Sequence, residues 1–214
     1  MTDRPILFSA PMVRAILSGR KSQTRRAVKP AEWNFAPRPE FNIDTATGRH
    51  EWLARKAGEP STFRWLPCPH GQPGDRLWVR ESHWFFQDEA DPVTGYTPPV
   101  LTVDDVEYRA DGESTRHRWR PSIHMPRWAS RITLEITGVR VERLNAISED
   151  DTRAEGITDG GCLNCGNSEL SCGCLNPRPD ARDAFVSLWS SINGRESWDA
   201  NPWVWVVEFK RLEA

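Results

Sequence analysis

Between Arg131 and Leu144 the chain alternates. Ile132, Leu134 and Ile136 are separated by single residues, and Val139 and Val141 resume the pattern beyond Gly138. Apolar residues at a period of two bury one face of a β-strand and cannot line one face of a helix. The interruption at Gly138 predicts a bend in that strand. Other segments follow the same logic. Gly74-Asp75 turns into a strand over Arg76–Glu81, Trp203–Phe209 reads as a final buried strand, Ile6–Phe8 as a short one, and a further short strand fits Val106–Arg109.

Two stretches have the helical period instead. Ser9 precedes a helix with Pro11 in its first turn, an apolar face of Met12, Val13, Ile16 and Leu17, and a left-handed stop at Gly19. Arg182–Ile192 carries Ala184, Phe185, Leu188 and Trp189 inward. A third, short helix starts at Ser148, with Asp151 three residues on as the capping acid. It runs to about Glu155 and stops at Gly156. Short strands interrupted by helices predict a small α+β barrel with flanking helices, not a doubly wound parallel sheet.

A chain of 214 residues fits one domain with insertions, here 1–214. Residues 30–73 and 86–126 are rich in Pro, Gly and charge, lack a clear period, and read as long loop insertions. A Cys-rich insertion occupies 160–179. A hydrophobic fraction of 38% argues against a wholly disordered chain. No apolar run is long enough to span a membrane, and Met1-Thr2-Asp3-Arg4-Pro5 does not open a signal peptide, so the expected compartment is the cytoplasm.

A net charge of −2 excludes a histone-like binder but leaves room for a local basic groove. Of 28 basic residues only positions 21, 29, 56 and 210 are lysine, and the rest are arginine. Arginine suits bidentate phosphate contacts and ring stacking, although compositional bias explains it equally well. The 11 tryptophans divide between core packing and base stacking.

The polar run Gly19-Arg20-Lys21-Ser22-Gln23-Thr24-Arg25-Arg26 follows the first helix. It resembles the Gly-x-Lys-x-x-(Glu or Thr)-x-Arg signature of ASCH domains, in the PUA-like superfamily. Its Thr version is similar to bacterial N4-acetylcytidine amidohydrolases. Three further pieces agree in order. Gly74-Asp75-Arg76-Leu77-Trp78-Val79 resembles a strand of that barrel, Ile147–Thr158 the helix carrying the family's catalytic glutamate, and Trp205–Lys210 the closing strand. With Trp119–Trp128, the whole chain also resembles larger ASCH-like proteins encoded by phages and prophages. The amidohydrolases are about half as long and lack the insertions.

The resemblance implies an amidohydrolase acting on an N4-acylated cytosine nucleoside or a related modified pyrimidine, with Lys21, Thr24 and Glu155 catalytic and Arg26 binding substrate. A Thr24 hydroxyl needs a base to become a nucleophile. Lys21 can serve only if the chain bends near Ser22, because in a regular strand the two side chains face opposite sides. It must also be neutral, which burial and the charges of Arg20, Arg25 and Arg26 favour. Glu155 can take part in proton transfer to the departing amine, and Arg26 can hold an oxygen or a phosphate. The residues alone leave a solvated basic turn open. An RNA or modified-DNA binding module without catalysis, and a ribonuclease, remain alternatives, so the implied partner is a nucleoside, nucleotide or nucleic acid.

Arg116-His117-Arg118-Trp119-Arg120 and Arg127-Trp128 interleave guanidinium groups with rings. Arg118, Trp119, Arg120 and Arg127, with Arg80 at the end of its strand, are therefore candidate substrate contacts in a nucleic-acid groove. An exposed loop whose tryptophans pack back onto the barrel fits as well. Cys162, Cys165, Cys172 and Cys174 place four thiols close together among glycines, which reads as a structural zinc site. Cys68-Pro69-His70 is a partial second candidate. No organic cofactor is expected.

Overall fold

The computed structural model describes residues 2–29, 33–85, 93, 101–114, 116–158 and 181–213. The chain opens with β1 (Asp3–Leu7), α1 (Ala10–Leu17) and β2 (Gln23–Ala27). Four strands follow: β3 (Trp33–Phe35), β4 (Phe41–Ile43), β5 (His50–Lys56) and β6 (Glu59–Pro67). Next come β7 (Arg76–Arg80), β8 (His83–Trp84), β9 (Glu107–Tyr108), the long β10 (Thr133–Arg143), α2 (Glu149–Ala154), α3 (Ala181–Asn193) and β11 (Trp203–Leu212). This is an α+β fold. Among the described residues no helix is long and apolar enough to cross a membrane.

The main sheet has the order β1-β7-β10-β11-β2. Only β1 and β7 run parallel; the other pairs are antiparallel. Among the described residues β1 and β2 are its edges, and no hydrogen-bonded pair closes the sheet on itself. The strand β11 explains its own composition. Trp203, Trp205, Val207 and Phe209 point into the larger core, whereas Val204 and Val206 point to the other face, against Phe185 and Trp189 of α3. A strand covered on both sides reads as a continuous apolar run. The expected bend in β10 is a register shift between Ile136 and Gly138. A Cβ at Gly138 would stand 2.6 Å from Glu208 Oε2, the tip of a half-exposed side chain that would have to swing aside.

The stretch expected to be a long loop over 30–73 contains a second sheet, with β3 and β4 flanking β5 and β6 pairing β5. Its inner face carries Phe35 and Trp52. Phe35 meets Trp203 and Trp205 edge-on at 5.3 and 5.9 Å, and Trp52 meets Trp205 at 5.2 Å. The insertion thus closes the main core with aromatic rings. The described part of the second insertion carries β9 and two single-turn helices, over Val103–Asp105 and Ser122–His124. Phe85, Val106, Tyr108, Met125 and Ala129 form a small core of their own there.

Helix ends follow the sequence closely. Ser148 caps α2 by accepting from the Asp151 amide, and Gly156 ends it with φ +87°. Ser9 stands in extended conformation before α1 but makes no side-chain cap bond.

Candidate functional site

The polar run after α1 divides into two parts. Lys21 forms an isolated antiparallel bridge with Glu155, at the end of α2. At Ser22 the chain changes partner: its amide donates to Ala154 O, while its carbonyl accepts from Phe209 N of β11. From Gln23 the chain is regular strand, pairing Thr24 with Val207 and Arg26 with Trp205. Because of this change both Lys21 and Thr24 are buried, at 4% and 2% exposure. Gly156 allows the approach. A Cβ there would lie 2.7 Å from Ala15 Cβ and 2.9 Å from Lys21 Cβ.

Lys21 Nζ donates to Glu155 Oε2 at 2.7 Å and to the Glu155 carbonyl at 2.8 Å. Burial pushes the Lys21 amine below its ordinary value; Glu155 opposes the shift, and the nearby charges of Arg26 and Arg25 add to it. Arg25, on the opposite face of β2 from Thr24, reaches the other Glu155 oxygen at 3.2 Å. It also contacts Glu142 at 2.5 Å and Asp151 at 3.2 Å. Arg140 joins Glu142, Asp151 and Glu208 to the same network. Gln23 Nε2 donates to Asp151 O at 2.7 Å. Glu155 is therefore held by two cations and cannot turn freely.

Arg26 donates to the Leu7 carbonyl at 2.7 Å, and its guanidinium lies 5.4 Å from the Phe8 ring centre; Lys21 Nζ lies 5.5 Å from the same ring. Burial lowers the Arg26 guanidinium below its ordinary value, with Glu155 opposing. Beyond it stands His70, which burial and the charges of Arg26 and Arg4 push down to about 4.

Thr24, Arg26 and Glu155 share the wall of one small cavity of about 60 Å³. Arg25 and Met12 line it too, and α3 contributes Phe185, Leu188, Trp189, Ile192 and the polar Asn193. A volume of that size is roughly two waters' worth. It is well below the roughly 300 Å³ of pockets that enclose a whole ligand.

The structure brings together Lys21, Thr24, Arg26 and Glu155 at one end of β2. It does not bring the arginine–tryptophan candidates to that cavity, whose wall contains none of Arg80, Arg118, Trp119, Arg120 or Arg127. Arg80 donates to Ile123 O, and Arg80 and Arg127 lie 5.5 and 5.6 Å from the Trp78 ring centre. Arg120 lies 4.4 Å over Phe85. His117 stacks on Trp84 at 4.2 Å and meets Trp119 edge-on at 4.9 Å. Arg80, Arg120 and Arg127 thus cover the protein's own rings, while Arg118 is exposed. A wider depression of about 460 Å³ borders Trp119, and its charged lining is Glu107, Asp111 and Glu113 against Arg116 alone. That carboxylate lining does not favour a phosphate backbone.

Cys162, Cys165, Cys172 and Cys174 lie outside the described residues. Among the described residues no cluster of His, Cys, Asp and Glu is arranged to hold a metal. Cys68 is free and buried, and burial pushes its thiol up to about 12. Such a thiol is a poor metal ligand without a second change.

Three contributors were not assigned a site role from the sequence. Arg25 counted only as nearby charge, although strand alternation already places it opposite Thr24 and Arg26. Phe185 and Trp189 read as core, and helical spacing alone gives no sign that they also wall a cavity. No family model matches the chain, and neither a curated protein nor a solved structure matches it.

Proposed function

We propose that the protein is an amidohydrolase with an ASCH-type, PUA-like barrel that removes the acyl group from an N4-acylated cytosine nucleoside or a related modified pyrimidine. The observation that carries this reading is the Lys21–Glu155 contact beside a cavity walled by Thr24 and Arg26. Burial lowers the Lys21 amine toward the neutral form a base requires, with Glu155 opposing the shift. In the reaction Lys21 takes the proton of the Thr24 hydroxyl, and the oxygen attacks the acyl carbonyl. Arg26 stabilises the resulting oxyanion. The C–N bond then breaks, the exocyclic amine leaves with a proton relayed through Glu155, and water hydrolyses the acyl-threonine ester to a carboxylic acid. The cavity accommodates the acyl group and one ring edge, with the sugar outside.

Purified protein incubated with N4-acetylcytidine releases cytidine and acetate. Thr24→Ala stops release and retains affinity, and Lys21→Ala stops it as well. Absence of cytidine from the unmodified protein after long incubation overturns the reading. The small cavity favours a second reading, recognition of a modified base in RNA or DNA without turnover. Under it Thr24→Ala weakens binding and no product forms.

Zinc held by Cys162, Cys165, Cys172 and Cys174 is retained as a proposal, supported by four thiols near glycines. Protein purified without chelator should carry about one equivalent; less than about half argues against a four-thiolate site.

A further inference from the structure

Strand alternation divides β2 between two faces. Thr24 and Arg26 pair with Val207 and Trp205, on the face of the larger core, whereas Arg25 pairs with Val206, on the face that α3 covers. The Arg25 side chain has no exposed surface, so it does not touch a substrate. Its one guanidinium meets three carboxylates. Nε and Nη2 donate to Glu142 Oε1 of β10 at 3.1 and 2.5 Å, and Nη2 lies 3.2 Å from Asp151 Oδ2 of α2. Nη1 donates to Glu155 Oε1 at 3.2 Å, while the second Glu155 oxygen accepts from Lys21. A carboxylate gripped through both oxygens by charged donors keeps one orientation. Arg140 is the other cation on Glu142 and Asp151, and α3 brings no charged group to this cavity wall.

We propose that Arg25 is a positioning residue of the reaction: from the far side of β2 it holds the Glu155 carboxylate in the orientation that meets Lys21 and offsets part of its charge there. The inference rests on the proposed function for its place in turnover, but the hold on Glu155 and Lys21 stands or falls without turnover. Burial lowers the Lys21 amine most, Glu155 raises it, and Arg26 and Arg25 lower it further. Arg25 therefore acts on the side of the free base. Glu142 and Asp151 touch Arg25 and not Lys21, so they govern how much of its charge is left for Glu155. Arginine suits this place because its planar fork spans several carboxylates and keeps its charge when buried.

The test reads the Lys21 amine directly. Lysine stands only at positions 21, 29, 56 and 210, so protein carrying ¹³C at lysine Cε gives four signals, and replacing Lys29, Lys56 and Lys210 singly with arginine identifies that of Lys21. Arg25→Gln removes the charge and should move the Lys21 titration midpoint up; Arg25→Lys keeps the charge and should return it toward wild type. With N4-acetylcytidine as substrate, the acid limb of the kcat profile should move up with that midpoint in Arg25→Gln. On that limb kcat should fall about tenfold for each pH unit of the rise, with KM within about twofold. A merely structural role would lower kcat at every pH alike. Glu142→Gln leaves Arg25 in place and frees more of its charge for Glu155, so it should move the midpoint down. A midpoint that stays or falls in Arg25→Gln overturns the proposal; if that variant fails to fold, a midpoint unmoved or raised in Glu142→Gln overturns it. Turnover whose acid limb ignores Arg25→Gln also overturns it and leaves the hydrolase reading intact. A raised midpoint without cytidine release from the wild type overturns the hydrolase reading and supports the hold of Arg25 on Glu155 and Lys21.

Discussion

Replacing Glu155 with glutamine tests the central contact of the site. In the folded protein Lys21 Nζ has two partners, the Glu155 carboxylate at 2.7 Å and its carbonyl at 2.8 Å, and its side chain is fully buried. Arg25 loses less, because Glu142 and Asp151 remain. The substitution therefore strands one buried cation. Breaking a buried pair from one side costs about 3–5 kcal/mol. The low end applies, since the glutamine oxygen still accepts from Lys21. About 3 kcal/mol corresponds to a fall in Tm of roughly 6–12 °C for a chain of this size.

The pH dependence makes the prediction specific. The Lys21 amine titrates lower in the folded protein than its ordinary value of 10.5. In the interval between the two, the unfolded chain binds more protons, and folding gains stability as pH rises toward 10.5. Removing the carboxylate removes the main influence holding the folded value up, so the interval widens downward. The penalty of Glu155→Gln should shrink as pH rises toward 10.5 in urea unfolding followed by tryptophan fluorescence. Lys21→Met combined with Glu155→Leu should cost less than the sum of the single changes. A penalty below about 1 kcal/mol at pH 7, or one that stays flat or grows with pH, refutes the reasoning.

Gly156→Ala places a Cβ at φ +87° and 2.7 Å from Ala15 Cβ, and should cost about 3 kcal/mol in urea unfolding, with loss of the Lys21–Glu155 contact. Asp75 accepts from the Thr2 amide, the Gln72 amide and Arg4; burial alone would raise its carboxyl, but these bonds hold it below the usual carboxylate value. Its stabilisation is present above pH 3.8 and lost as pH falls through the folded value, so Asp75→Asn should cost about 1–3 kcal/mol at pH 7 and flatten the acid limb of the stability curve below pH 4. His70 should titrate near 4 by NMR. Its folded value lies below the ordinary 6.5, so the protein loses stability as pH falls from 6.5 toward 4, and His70→Gln should lose less than wild type over that interval; a value of 6 or above contradicts the charge cluster with Arg26 and Arg4.

Local punctuation was readable where one residue type solves one backbone problem. Gly138 marked the bulge, Ser148 and Gly156 marked the ends of α2, and Gly19 marked the end of α1 with φ +74°. The second sheet was hidden because its signal is spread across four strands of mixed polarity. Trp52 and Ala54 alternate correctly in β5, but the apolar Leu53 between them blurs the alternation and the flanking strands β3 and β4 span three residues each. Such strands are specified by partners distant in sequence, not by their own pattern. The Lys21–Glu155 pairing came to notice through a resemblance, since 134 positions separate the two. Burial of Trp189 followed from helical spacing, whereas its place beside a cavity is a property of the assembled fold.

Among the described residues β2 pairs only with β11, which begins 176 positions after β2 ends. At ordinary synthesis rates of about 5–20 residues per second, β2 waits for its partner for roughly 9–35 s. A strand exposed that long is a hazard for pairing with other chains. Its sequence, Gln23-Thr24-Arg25-Arg26-Ala27, is polar and charged, and so resists that fate. The residues proposed to carry the chemistry thus also guard the nascent chain, and the cavity cannot form before α3 has been made.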